Sequence, residues 1–123
     1  DRLDIIIRQG ATFGPMHCTV LKADGSPDDL TGCTFLAEIR KTPDAATAAA
    51  AAVFTLTNAA AGQFSFTFTA TATEDIPCAP EGETSPDSLY VWDLEIHYPS
   101  GMVRPMLYGD ALVFREVSKG TPA

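Results

Sequence analysis

Carboxylates are the side chains here with the clearest chemical potential. Asp93 and Glu95 stand two apart in "YVWDLEIHY", and on a strand both would leave the same face. Two facing carboxylates are the equipment of glycoside hydrolysis, one as acid and one as nucleophile or base. Strand rise alone sets such a pair about 6.5–7 Å apart, and any two acids on an outward face share that spacing. The default reading is therefore a solvated or partner-facing surface. "DGSPDD" gathers Asp24, Asp28 and Asp29 in one turn, and Ca²⁺ takes several oxygens from loops of this kind. The segment lacks the alternating acid spacing and the distal Glu of a calcium loop, and turn formation by Asp, Gly and Pro accounts for it.

The nitrogen and sulfur ligands are no better organised. His17 and Cys18 are neighbours and cannot both face inward on a strand. His97 and the other two cysteines, Cys33 and Cys78, follow no zinc-ligand spacing. Three cysteines without a CxxC pair point to free thiols in a reduced setting. Cys18 and Cys33 both fall inside apolar strand patterns, where a free Cys behaves as a small hydrophobe, and a Cys18–Cys33 bridge is the lesser alternative. No GxSxG, P-loop or GxGxxG motif is present. The reading is of no enzyme, with no catalytic residue, no cofactor and no metal.

Composition narrows the partners. The 123 residues, 46% hydrophobic and 20% charged, suit a single globular domain over 1–123. Sixteen acids against eight bases give a net charge of −8. The bases are scattered apart from Arg40-Lys41, so neither nucleic acid nor an anionic membrane is an expected partner. No run of about 18 apolar residues occurs, and "DRLDIIIRQG" is too short and too acidic for a secretory leader. No small-molecule substrate is expected.

Period-2 alternation organises most of the chain, the mark of half-buried strands. Leu3, Ile5 and Ile7 share a face. A second strand is expected over Met16–Ala23, after a break at Gly14-Pro15. Cys33, Phe35, Ala37 and Ile39 form the core side of a third. "VFTLTN" and "GQFSFTFTA" flank "NAAAG" as a hairpin, with Phe64, Phe66 and Phe68 pointing one way. That spacing would cover most of a helix's circumference, so it belongs to a strand. The final stretch reads as Leu89–Tyr98, a turn at "PSG", Met102–Tyr108, a tight Gly109-Asp110 turn, and Ala111–Val117. Tyr90, Trp92, Leu94 and Ile96 share its first core face.

Two segments interrupt the alternation. The alanine-rich run 42–52 has a helix-like start and strong local helix propensity but no apolar stripe. It is expected to be a flexible or briefly helical connection, with strand resuming near Ala52. "TATEDIP" suggests one helical turn near 71–76, followed by a mobile loop over 78–88. Eight strands with short connections make an all-β fold, an antiparallel immunoglobulin-like β-sandwich of about seven to eight strands. Tyr90, after a loop and two residues before a large core side chain, resembles the tyrosine corner of such domains.

Taken in order, "DIIIRQGATF", "ADGSPDDLTGCTFLAEIRK", "GQFSFTFTATATEDIP" and "YVWDLEIHYPSGMVRPMLYGDALVFREVS" resemble small proteins encoded among the tail, baseplate and fibre genes of bacteriophages. The matched features are Gln9-Gly10, Asp29 through Gly32, Ile39-Arg40, Thr73 with Ile76-Pro77, Tyr90 through Glu95, Gly101, Gly109 and Glu116-Val117. The resemblance implies a sandwich similar to the amino-terminal domain of phage baseplate upper proteins. It also implies a structural virion protein, an adaptor or attachment subunit of tail, baseplate or collar, with no catalytic residues to carry over. Its partners would be other virion proteins and further copies of itself. A capsid decoration or head-fibre base protein is the alternative, and a carbohydrate-binding module with Tyr98 and Tyr108 as platforms is a second.

The sequence offers one hint of a contact surface. Met102, Met106 and Tyr108 alternate with Val103, Pro105 and Leu107, so both faces of that strand carry apolar weight. Such a strand is either central or covered by a neighbour, and Met102, Met106 and Tyr108 are the expected subunit contact.

Overall fold

The alternating phenylalanines place the core. Phe64, Phe66 and Phe68 all leave one face of a strand and are buried. Against them pack Ala37, Ile39, Trp92, Leu94 and Ile96 from a second sheet. Fully burying a side chain of this size contributes roughly 1.5–3 kcal/mol. The computed structural model describes residues 1–78, 88–116, 118 and 120–123, and the expected 78–88 loop lies outside them except for Cys78 and Ser88.

The strands are β1 (Ile5–Arg8), β2 (Phe13–Thr19), β3 (Thr34–Arg40), β4 (Ala50–Ala51), β5 (Val53–Asn58), β6 (Gln63–Phe68), β7 (Leu89–His97) and β8 (Val103–Phe114), with one helical turn, α1 (Ala70–Thr73), after β6. They form a five-stranded sheet, β1-β8-β7-β3-β4, facing a three-stranded sheet, β2-β6-β5. This is the all-β sandwich expected, and its order matches the G-F-C-C′ and B-E-D sheets of an immunoglobulin-like domain. The tyrosine corner is also present: the buried Tyr90 donates its hydroxyl hydrogen to the carbonyl of Pro77. α1 is capped by the Thr69 hydroxyl, which accepts from the Ala72 amide at 3.2 Å.

Four expectations need correction. First, Gly109-Asp110 is not a turn. β8 runs unbroken through it, because β7 pairs with it along its whole length, Leu89 with Leu112 at one end and His97 with Val103 at the other. Gly109 is there for space: a Cβ on it would lie 2.2 Å from the Leu3 carbonyl oxygen. Second, one pairing is parallel rather than antiparallel. β1 lies beside the Ala111–Phe114 half of β8, Ile5 opposite Ala111 and Ile7 opposite Val113, which carries both isoleucines into the core.

Third, no helix forms over 42–53. Lacking an apolar stripe, an isolated alanine helix is marginal in water, whereas β3 offers an open edge. The Ala49 amide donates to Ile39 O at 2.7 Å and the Ala52 amide to Ala37 O at 2.9 Å, so Ala50–Ala51 becomes a short strand and Ala50 is buried. Strand does resume by Val53, as expected. Fourth, β2 runs through Gly14-Pro15 rather than starting after it. The register with β6 shifts between Phe13 and Met16, and a bulge is where an edge strand accommodates Pro and a glycine at φ 103°.

Candidate functional site on the outer face of the five-stranded sheet

Among the side chains that do not enter the core are Leu36, Glu38 and Arg40 on β3 and Val91, Asp93 and Glu95 on β7. Register sets them in rows: Leu36 opposite Glu95, Glu38 opposite Asp93, Arg40 opposite Val91. On the other side of β7, Asp93 faces Tyr108 and Val91 faces Asp110. The result is a shallow groove of about 390 Å³ across the sheet, lined also by Arg2 and Pro43. Leu36, Val91 and Tyr108 supply apolar surface, and four carboxylates (Glu38, Asp93, Glu95, Asp110) outnumber the two guanidinium groups of Arg2 and Arg40.

The charges are unevenly paired. Arg2 Nη2 lies 3.1 Å from both Asp4 and Asp110 carboxylates, and Arg40 Nη2 lies 3.1 Å from Glu38 Oε1. Glu95 Oε1 sits 2.8 Å from His97 Nε2. Asp93, in the middle, has no basic partner within ion-pair distance among the described residues. Its carboxyl titrates above the usual Asp range, first because of partial burial and then because Glu95 and Glu38 repel its charge, with Arg40 opposing.

A stability prediction follows for Asp93. An acid whose folded pKa is raised binds its proton more readily in the folded state, so its charge destabilises the fold once pH exceeds both values. Asp93→Asn is therefore expected to stabilise the protein at neutral pH. The gain is about 0.5 kcal/mol, the scale of like charges directly opposite on paired strands, reduced here by solvent. It fades as pH falls through the carboxylate range. Thermal melts of both proteins from about pH 3 to about pH 7 check this; a gain that persisted at acid pH would show that the penalty does not come from the Asp93 charge.

The remaining sequence candidates disperse. Asp24 Oδ1 accepts from the Ser26 amide and hydroxyl at 2.9 and 2.6 Å, and Asp29 Oδ1 does the same with Thr31. Those bonds pull both carboxyls below the usual range. Asp28 accepts from the Tyr98 hydroxyl at 2.6 Å and lies 3.5 Å from Arg104. The three acids thus build turns, and Tyr98 is tied into one of them rather than standing free as a platform. Cys18, Cys33 and Cys78 carry free thiols, and burial raises the thiol pKa of Cys18 and Cys33. His17 points outward, away from Cys18.

The expected subunit contact also separates. Met102 is exposed beside the Pro99–Gly101 turn, Tyr108 is 53% exposed in the groove, and Met106 is half-buried against the core. Val103 and Tyr108 are roughly 17 Å apart along the strand. The register explains the misreading. Glu95 pairs with Pro105 and Leu94 with Leu107, leaving Met106 as the extra residue of a bulge. Alternation reverses there, so the strand has one inner and one outer face on each side of the bulge, with Val103, Pro105 and Tyr108 exposed. Of the three, Tyr108 alone lies in the groove. Glu38, Leu36 and Arg40 were not singled out by the sequence, because only the register of β3 with β7 brings them to Asp93.

No protein-family model and no curated protein matches the sequence.

Proposed function

We propose that the chain is a non-enzymatic attachment module that works through protein–protein contact on the outer face of its five-stranded sheet. The observation that carries this is the groove. It places a half-exposed tyrosine and two aliphatic side chains beside an under-neutralised set of carboxylates. Exposed aromatics with polar surroundings are what interface hot spots are made of, and unpaired rim charge selects a partner of opposite sign. The complementary surface is a cationic segment whose Lys or Arg heads reach Asp93 while apolar flanks cover Leu36, Val91 and Tyr108.

The setting we propose is a bacteriophage particle, with the chain as an adaptor or attachment subunit in the tail, baseplate or collar. What supports it is the resemblance over Asp4–Phe13, Ala23–Lys41, Gly62–Pro77 and Tyr90–Ser118, together with the sandwich fold. Mass spectrometry of purified particles, counting this chain against the major capsid protein, tests the setting. A handful to a few dozen copies (roughly what an attachment ring requires) agrees with it, hundreds indicate shell decoration, and absence overturns it. Tyr108→Ala tests the face. Incorporation or partner affinity is expected to fall about 30-fold, the scale of a tyrosine hot spot, with the melting temperature little changed. Undiminished binding would move the contact elsewhere.

A further inference from the structure

We infer that a second copy of this chain pairs with the free edge of β5, antiparallel and about a two-fold axis, joining two three-stranded sheets into one of six strands. β5 is hydrogen-bonded to β6 on one side only. Five of its six residues are exposed, and among the described residues nothing covers its outer edge. An edge strand of this kind presents a row of unpaired N–H and C=O groups, which proteins normally blunt with charge, Pro, bulges or brevity.

The other edges are blunted in those ways. β2 carries Gly14, Pro15 and a bulge, β4 has two residues, and β1 has four and ends in Arg8. β5 has six residues, no charge and no Pro, and its one bulge, at Thr57, lies at its far end, leaving Val53–Leu56 regular. Residues 45–73 contain no Asp, Glu, Lys or Arg, although the chain has 24 such residues in all, 16 acidic and 8 basic.

Charge also selects the occupant. Two copies each bearing −8 repel wherever their acidic surfaces meet, and the groove face, with four carboxylates to two guanidinium groups, is a poor match for itself. The β5 edge is where copies can approach without stacking like charges. A two-fold at Thr55 sets Thr55 opposite Thr55 on the outer face, a β-branched pair suited to cross-strand packing. On the inner face it sets Leu56, 40% exposed, opposite Phe54. The contact consumes both edges, so assembly closes at two copies. It uses a different surface from the groove and does not depend on the partner proposed there.

Sedimentation velocity of the full chain from about 10 μM to about 1 mM, the range in which so small an interface associates, tests the inference. A monomer–dimer equilibrium is expected, tightening with added salt as the repulsion between copies is screened. Thr55→Lys puts two ammonium groups at the axis and is expected to weaken the dimer at least tenfold. His17→Lys adds the same charge on the same outer face, across Ser65 on the far edge, and is expected to leave the dimer intact. Should Thr55→Lys fail to fold, Val53→Lys carries the same expectation. Hydrogen exchange of β5 amides is expected to slow with concentration. A chain monomeric throughout, a dimer indifferent to the edge lysines, or equal weakening by His17→Lys would each overturn it.

Discussion

Gly109→Ala is expected to destabilise the protein by about 3 kcal/mol, the upper range for forcing a methyl group into filled space. The added carbon would lie 2.2 Å from the Leu3 carbonyl oxygen and 2.8 Å from Asp4 Oδ1. Neither is free to yield. The Leu3 oxygen accepts from Trp92 Nε1 at 2.8 Å, the Leu3 amide donates to Tyr108 O at 2.8 Å, and Asp4 Oδ1 accepts from the Asp110 amide at 2.9 Å. Relieving the clash means lifting the N-terminal segment off β8, which strips the buried indole of its acceptor and displaces Arg2 from the groove lining. Chemical denaturation read against Gly120→Ala, where a Cβ meets nothing within 4 Å, measures the cost. No loss, or a gain of about 0.5–1 kcal/mol as for an ordinary strand glycine replaced by alanine, would mean that the segment adapts and the close approach is not required.

Phe66→Ala is expected to cost more, about 4 kcal/mol, as the removed ring leaves a cavity the sheets cannot close. Phe66 is fully buried. Its ring centroid lies 5.8 Å from Trp92 in the opposite sheet and 6.2 Å from both Phe54 and Phe68, with Phe13 at 6.5 Å. Those contacts join strands from both layers, so one substitution loosens the whole sandwich. Against a total stability of about 5–15 kcal/mol for a domain, the variant would be near its folding threshold at room temperature. Denaturant titration followed by Trp92 fluorescence reports it. Phe114→Ala, on the half-buried outer side of β8 beside Arg8 at 5.5 Å, is expected to cost well under half as much; equal losses would show that packing between the layers is not what Phe66 provides.

Strand content was legible in this sequence because period-2 alternation is a local property. Phe64, Phe66 and Phe68, the Cys33–Ile39 face and the Tyr90–Ile96 face all point where their spacing says, since a strand's pleat alone determines that. The all-β sandwich follows from eight such segments with short links, and the tyrosine corner from the position of Tyr90 before Trp92. What failed were readings in which local chemistry met a tertiary competitor. Gly109-Asp110 has the composition of a turn, yet a continuous partner strand and the approach of Leu3 keep it extended. The alanines of 42–52 favour a helix, yet the open edge of β3 claims two of them. The apolar weight on both sides of residues 102–108 came from the Met106 bulge, and a bulge is a relation between two strands. The groove lies further still from what sequence can determine. Asp93 and Glu95 share a face by pleat alone, but Glu38 joins them by register, Tyr108 by a pairing on the far side, and Arg2 by the fold bringing residue 2 beside residue 110. Composition along the chain determined which residues lack charge; only the order of strands in the sheets decided that the uncharged stretch supplies an open edge.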